Sequence, residues 1–141
     1  MTIEAAILGL LLTQAAQPPP PDATAVDPLT AFSGAWQIVD TDSGKVALSC
    51  AEGQTFAVAA DRRSIALSDT PSGRQFARYI VLDSGPDRIL AFIEGEMRRT
   101  EAGDPIVWYA YFEGPDRFRW RQYHWPAEAR TAAQWRRCPA G

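Results

Sequence analysis

The chain has 141 residues and 46% hydrophobic content, which suits one domain with a core and leaves little for a second. Its formal net charge of −3 excludes the strongly basic balance of a typical nucleic-acid-binding protein. Three of the 17 acidic residues precede residue 31, so residues 31–141 carry 14 acidic and 14 basic groups and are neutral overall.

The N-terminal segment has the features of an export signal. Residues 3–12 are mostly apolar but too few to span a bilayer, and residues 13–15, Thr-Gln-Ala, have the small-x-small form of a signal-peptidase site. Four prolines, Pro18–Pro21, follow and predict a stiff polyproline II spacer. Because Glu4 stands where a basic residue is usual, a retained apolar helix or a different start codon is the alternative. We expect a periplasmic or secreted protein without stable membrane insertion.

Two cysteines, Cys50 and Cys138, are the only ones in the chain. An even number of cysteines in an exported protein usually means a disulfide, and the alternative is two unpaired thiols in a cytosolic protein. A bond between them would enclose nearly the whole domain. We divide the chain into a signal peptide or apolar N-terminal segment (1–16), a Pro-rich linker (17–31) and a folded domain (32–141).

From Phe32 onward, short alternating segments are separated by Gly, Pro, Asp and Ser residues, a pattern typical of β-strands joined by hairpins. In the first half of the domain the predicted strands cover residues 36–40, 45–50, 55–59 and 64–68. In the second half they cover residues 75–82, 88–100, 105–113, 117–125 and 132–138. One helical turn fits residues 126–133. Eight or nine such strands favour an all-β, antiparallel up-and-down barrel over a sandwich, because closure leaves no exposed edges.

The start of the first strand resembles a lipocalin. Gly34-Ala35-Trp36 is a Gly-x-Trp motif of the kind that precedes the first strand in that family. The resemblance implies that Trp36 plugs the closed end of an eight-stranded barrel. It also implies that a late arginine, Arg136 or Arg137, packs over the Trp36 ring. A disulfide between the C-terminal segment and the barrel is common in the same family.

Two families of exported inhibitors are similar over shorter stretches. Residues 50–53, Cys-Ala-Glu-Gly, followed by Phe56, are similar to the first strands of bacterial C-type lysozyme inhibitors. The strand at Trp36 with residues 42–45, Asp-Ser-Gly-Lys, resembles the start of bacterial metalloprotease inhibitors. In the second family a mobile N-terminal arm enters the protease cleft, a role that the resemblance gives to residues 18–30.

One run of nine residues, RFRWRQYHW, is the most unusual feature of the sequence. As a strand it sends alternate cationic and aromatic side chains to one face: Arg117, Arg119, Arg121, Tyr123 and Trp125. Such a face can bind an anion or a flat ring. The alternative is a solvent face whose arginines pair with Glu94, Glu96 or Glu113 on neighbouring strands. Tyr109 and Tyr111, on the preceding strand, complete the candidate ligand-binding residues.

The sequence gives little sign of catalysis or metal binding. Glu94 and Glu96 lie about 7 Å apart by strand rise, a separation possible for a glycosidase pair, but such acids usually form a solvated face. His124 is the single histidine, which leaves too few ligands for zinc. No phosphate-binding loop and no nucleophile elbow is present. We expect no enzyme activity, no cofactor and no bound metal.

Binding is therefore the expected function. The first hypothesis is a lipocalin-like binding protein for a small hydrophobic or aromatic, anionic ligand. The alternative is an inhibitor or interaction module that acts on a hydrolase, a lysozyme or a protease. Trp108 and Trp120 are expected to fill the barrel. A cavity of a few hundred Å³ would favour the carrier, and a packed interior with rigid polar loops would favour the inhibitor. Nucleic acid is not an expected partner.

Overall fold

The structure, a computed structural model, describes residues 26–140. Its elements in chain order are α1 (Pro28–Phe32), β1 (Gly34–Asp40), β2 (Val46–Leu48), β3 (Gln54–Val58), β4 (Ser64–Asp69), β5 (Gln75–Ser84), β6 (Arg88–Ile93), β7 (Trp108–Phe112), β8 (Arg117–Gln122) and β9 (Ala133–Arg137). The predicted signal segment and most of the predicted linker lie outside the described residues. Between residues 26 and 140, no helix is long and apolar enough to cross a membrane.

Eight of the strands close into an antiparallel barrel. Each pairs with the next in the order β1, β3, β4, β5, β6, β7, β8 and β9, and β9 pairs back with β1. The additional strand, β2, pairs with the end of β1 beyond the part that pairs with β3. The predicted all-β antiparallel barrel is therefore confirmed.

Alternation along the strands builds one interior core, because successive side chains of a strand point to opposite faces. In β3 and β4, for example, Phe56 and Leu67 are buried cross-strand partners, whereas Ala57, the next residue of β3, is exposed on the outer face. The buried cluster consists of Leu29, Phe32, Trp36, Phe56, Ile65, Leu67, Tyr79, Ile89, Ala91, Ala110, Phe112, Phe118 and Trp120.

Helix α1, which sequence analysis did not predict, seals one end of the barrel. Pro28 at its first turn has a backbone already suited to a helix start. Leu29 and Phe32 are 4% and 0% exposed, and the Phe32 ring lies 4.8 Å from the rings of both Phe56 and Phe118. The indole Nε1 of Trp36 donates to the Phe32 carbonyl at 3.0 Å. Only five residues long, the helix is too short to produce a periodic sequence signal.

Arg137 completes the sealed end. Its guanidinium carbon lies 4.4 Å from the Trp36 ring centroid, and its nitrogens donate to the carbonyls of Ala31, Ser33 and Pro115. Arg136, the other predicted candidate, instead donates to the side chain of Gln134 on its own strand. Of the two arginines that the Gly-x-Trp resemblance allowed, Arg137 is thus the one over the tryptophan.

Gly34 is required at this end for two reasons. Its φ of +131° lies in a region that side-chain-bearing residues rarely adopt. A Cβ added there would also lie only 2.8 Å from a guanidinium nitrogen of Arg137. The glycine of the Gly-x-Trp motif therefore leaves the space that Arg137 occupies.

Three predicted elements were wrong in their extent. The strand predicted over residues 88–100 ends at Ile93, because Gly95 turns the chain with a φ of +80°. Residues 94–107 form a long loop, so β7 begins only at Trp108. Strand β8 ends at Gln122, followed by a turn. Within the helical turn predicted over residues 126–133, the structure has a single hydrogen-bonded turn, in which the Ala129 amide donates to the Pro126 carbonyl, and no helix. These loops meet at the other end of the barrel, where the Tyr123 amide donates to the Val107 carbonyl.

The disulfide joins Cys50, just after β2, to Cys138, just after β9, with Cα atoms 5.7 Å apart. It fastens the short segment between β2 and β3 to the end of the last strand, and the Cys138 amide donates to the Ala35 carbonyl at 2.9 Å. Gly53 in the same segment is buried, and a Cβ there would lie 2.1 Å from the Trp36 carbonyl oxygen. The predicted Cys50–Cys138 pairing is confirmed.

Removal of this disulfide is predicted to destabilise the barrel strongly. The cysteines are 88 residues apart, so the bond restricts most of the unfolded chain. We expect the C50S/C138S variant to lose about 2 to 4 kcal/mol of unfolding free energy, measured by urea denaturation. Wild-type protein treated with a reductant should approach the variant. Labelling of two thiols in the non-reduced wild type would contradict the pairing.

Removal of Arg137 is predicted to open the sealed end. R137A would leave three backbone carbonyls without their charged donor, and we expect it to cost about 2 to 3 kcal/mol of unfolding free energy. R136A is the matched control on the same strand, since its partner Gln134 keeps a second contact with Glu113, and about 0.5 kcal/mol is expected. Equal losses in the two variants would disprove the special role of Arg137.

Candidate ligand cavity at the open end

A cavity of about 400 Å³ lies inside the barrel at the end opposite α1. Its lining is mainly apolar and aromatic: Gln54, Phe56, Leu67, Phe76, Ala77, Tyr79, Ile93, Arg98, Trp108, Trp120, Thr131 and Trp135. The volume falls in the range of small-molecule binding sites. The barrel interior is therefore filled near α1 and hollow near the open end.

Aromatic rings form much of the cavity wall. Tyr79 stacks on Trp120 with ring centroids 5.1 Å apart and planes 15° from parallel. Trp108 and Trp135 meet Trp120 edge to face, with centroids 6.2 Å away in each case. Trp108 and Trp120 thus take the interior positions expected of them, but they border a cavity instead of filling the barrel completely.

The polar groups of the lining are few. The Trp135 indole donates to the Oε1 of Gln54 at 3.1 Å. The Thr131 hydroxyl donates to the Ala133 carbonyl and accepts from the Trp120 amide. No residue from 26 to 140 pairs with the Tyr79 hydroxyl or the Trp120 indole N–H. Because no fully buried polar side-chain atom in this range lacks a partner, both groups are accessible from the open cavity. Burial raises the pKa of Tyr79 to about 12, so its phenol stays protonated at neutral pH.

Arg98 brings a charged group to the cavity from the loop between β6 and β7. Its Nε and Nη2 donate to the two carboxylate oxygens of Glu96 at 2.9 and 2.7 Å. The Arg98 side chain is 75% exposed, whereas that of Glu96 is 12% exposed. Hydrogen bonds from Arg98 lower the pKa of Glu96 to about 2. The guanidinium charge is therefore compensated by its own neighbour.

The candidate ligand-binding residues from the sequence do not line this cavity. Tyr109, Tyr111 and Tyr123 lie on the outer face of the barrel, where Tyr109 is 5.4 Å from Tyr111 and 5.9 Å from Tyr123. Three arginines lie over these rings at 3.8 to 6.0 Å: Arg88, Arg121 and Arg130. We call this group the tyrosine–arginine patch. It unites three of the predicted tyrosines with one predicted arginine.

The other predicted arginines have separate roles. Arg119 pairs with Glu113 at 2.8 Å, as expected if the arginines form a solvent face paired with neighbouring glutamates. It also donates to the Thr41 hydroxyl. Burial disfavours the Glu113 charge, but hydrogen bonds from Gln134 and Arg119 outweigh it and lower the pKa. Arg117 is exposed and lies opposite another arginine on β9.

The turn that follows β8 places Arg121 and Trp125 in different surroundings. The Arg121 guanidinium is buried and donates to the carbonyls of Tyr123, Trp125 and Pro126, so it holds that turn in place. The Trp125 ring leaves the arginine face and packs 5.6 Å from Trp108, which borders the cavity. The alternation predicted through Trp125 was wrong beyond Gln122, because the strand ends there.

The two acids considered for catalysis each have an arginine partner. Glu94 lies 3.8 Å from Arg78, and Glu96 pairs with Arg98 in the loop. His124 lies 3.5 Å from Asp104. Between residues 26 and 140, no group of three or more potential metal ligands comes together.

Several cavity residues could not have been found from local patterns. Arg98 was expected inside the strand predicted over residues 88–100, but β6 ends at Ile93. Alternation places Ala77 and Tyr79 on one face of their strand, but it does not tell which face is interior. The alternation of side chains along a strand shows which residues share a face. It does not show which of the two faces becomes the interior of the barrel.

Comparison of this chain with family models, with curated proteins and with solved structures finds no match. The function must therefore be inferred from the two surfaces that the fold creates, the interior cavity and the tyrosine–arginine patch. The cavity is the concave one of the two, and its lining carries hydrogen-bond donors that no residue from 26 to 140 accepts.

The ion pair at the cavity gives a testable pH dependence. Because the pKa of Glu96 is lowered from 4.5 to about 2, the ion pair is complete above pH 4.5 and is lost as the pH falls through about 2. We expect the Glu96 carboxyl carbon to titrate with a midpoint near 2 by NMR. R98Q should return the midpoint toward 4.5, and R99Q, the adjacent control, should leave it low. A wild-type midpoint near 4.5 would refute the pair.

Proposed function

We propose that the protein binds a small hydrophobic or aromatic molecule inside the barrel. The observation that carries this proposal is the cavity of about 400 Å³, enclosed by aromatic and aliphatic side chains and open at one end. Sites for small molecules are concave, mainly apolar and supplied with a few polar groups, and this cavity has each of these features. A completely filled barrel would have favoured the alternative function, an inhibitor or interaction module.

The sealed end supports a lipocalin-like carrier. An arginine over the tryptophan of the Gly-x-Trp motif is what the resemblance implies, and helix α1 contacts the same tryptophan. The Cys50–Cys138 disulfide favours an oxidising compartment, so we propose that the protein works in the periplasm or outside the cell. In this proposal it carries its ligand and catalyses no reaction.

The tyrosine–arginine patch favours a second candidate, an inhibitor or interaction module for a hydrolase. Tyrosine and arginine are enriched at the centres of protein interfaces. Tyr123 in the patch is 50% exposed, so its ring is open to a partner. The resemblance to lysozyme and metalloprotease inhibitors agrees with such a role. The two candidates use different surfaces of the same barrel, so variants can separate them.

A cavity-filling variant tests the proposed carrier. The probe is N-phenyl-1-naphthylamine, an uncharged dye whose fluorescence rises in apolar surroundings. We expect the wild type to bind it with one-to-one stoichiometry. Ala77 lines the cavity, so A77F should weaken binding about tenfold or more by occupying the space. Unfolding measurements should establish that the variant is folded.

The control for this experiment is A57F, which adds the same ring on the outside of β3, where Ala57 is exposed. We expect its dye affinity to equal that of the wild type. Y123S tests the outer surface in the same way and should also leave the affinity unchanged. Absence of dye binding by the wild type, or weakening by Y123S alone, would count against the interior site and favour the patch.

A further inference from the structure

We infer that the cavity selects an uncharged, flat ligand that carries a hydrogen-bond acceptor such as a carbonyl oxygen, and that Tyr79 donates to this acceptor. The inference rests on the proposed ligand-binding function and names the chemical class of the ligand. Three properties of the lining support it: donors that are open to the cavity and unpaired within residues 26 to 140, a compensated charge and flat aromatic walls.

Two donors of the lining, on largely buried side chains, are unused. Tyr79 and Trp120 are 9% and 6% exposed, and between residues 26 and 140 nothing accepts a hydrogen bond from the Tyr79 hydroxyl or the Trp120 indole N–H. In the empty barrel these two atoms are not fully buried, so water can reach them. A ligand that covers them excludes this water, and a covered donor without an acceptor is unfavourable. An acceptor on the ligand avoids this penalty, so binding is linked to the presence of that atom.

Gln54 offers a third donor. An indole N–H can only donate, so the contact with Trp135 requires the Gln54 amide oxygen to face Trp135. The amide nitrogen of Gln54 then remains, and no residue between 26 and 140 accepts from it. Thr131 already donates to the Ala133 carbonyl. The unused polar groups at the cavity are therefore mainly donors, which fit an acceptor-bearing ligand.

The charge of the lining is compensated. Arg98 is the charged residue among those that line the cavity in the described part of the chain, and both of its hydrogen bonds go to Glu96. A carboxylate in the cavity would either compete with Glu96 for Arg98 or be buried without a counter-charge. Burial of an unpaired charge is strongly unfavourable. An uncharged ligand avoids both costs.

The walls of the cavity favour a flat molecule. Tyr79 and Trp120 are nearly parallel, and Trp108 and Trp135 stand at 75° and 90° to Trp120. Such rings offer faces for stacking and edges for T-shaped contacts. A ligand with a fused aromatic ring can use both kinds of contact within this space.

The test uses three probes with the same naphthalene ring. 2-Acetonaphthone carries a carbonyl, 2-ethylnaphthalene carries no acceptor, and 2-naphthoate carries a charged carboxylate. Affinities are measured by quenching of tryptophan fluorescence and by calorimetry. We expect 2-acetonaphthone to bind the wild type about tenfold more tightly than either of the other probes, which corresponds to about 1.4 kcal/mol.

The variant Y79F removes the donor and keeps the ring. Since the Tyr79 hydroxyl has no partner in the empty barrel, Y79F should fold and retain its stability. It should bind 2-acetonaphthone about tenfold more weakly than the wild type, and its affinity for 2-ethylnaphthalene should not change. The matched control is Y123F in the tyrosine–arginine patch, which should change neither affinity.

The variant E96Q tests the compensated charge. It leaves Arg98 without its carboxylate, so the affinity for 2-naphthoate should rise about threefold at low salt, a small factor because Arg98 is largely exposed. The affinity for 2-acetonaphthone should not change. E94Q, two residues away, is the control and should leave both affinities as they are.

The outcomes distinguish this inference from the proposed function. If none of the three probes binds the wild type, the carrier function itself fails. If the probes bind but 2-naphthoate equals or exceeds 2-acetonaphthone, the carrier stands and the preference for an uncharged ligand is overturned. If 2-acetonaphthone binds best and Y79F leaves that affinity unchanged, the donor role of Tyr79 is overturned.

Discussion

The contact between Arg137 and Trp36 is the constraint on which the rest of the barrel depends. The guanidinium covers the indole and binds the carbonyls of Ala31, Ser33 and Pro115. It thereby joins β9 to the segment around α1 and to the turn between β7 and β8. Near helix α1 the apolar side chains pack against one another in the buried cluster. The cavity lies toward the opposite end of the barrel.

The two ends of the barrel differ because the connections between the strands differ in length. Near α1 the connections are short turns, and the Phe32 ring reaches the aromatic side chains of facing strands. At the other end, residues 94–107 and 123–132 form long loops in place of continued strands. An eight-stranded barrel is just wide enough to be filled by side chains or to hold one small ligand. This barrel is filled by side chains near α1 and has a cavity at the other end.

How much of this could be predicted depends on the range of the interactions involved. Side-chain alternation is a local pattern, and two cysteines can be counted directly in the sequence. These two features were enough to predict an all-β barrel with a Cys50–Cys138 disulfide. The Gly-x-Trp motif limited the capping arginine to two neighbours, but only the register of β9 chooses Arg137. The helix before β1 is too short for a periodic pattern. The position of Arg98 depends on where Gly95 ends β6, which no neighbouring residue predicts.

The arginine-rich run illustrates why the candidate site was harder to predict than the fold. A sequence shows which residues are cationic, but it does not show whether their charges are already paired within the folded protein. Arg119 is paired with Glu113, and Arg121 is committed to the carbonyls of a turn. The cavity, by contrast, depends on Tyr79 and Trp120, two aromatic residues that resemble ordinary core side chains in the sequence. That their donors are unused can be recognised only in the folded barrel, because only the structure shows which acceptors lie within reach.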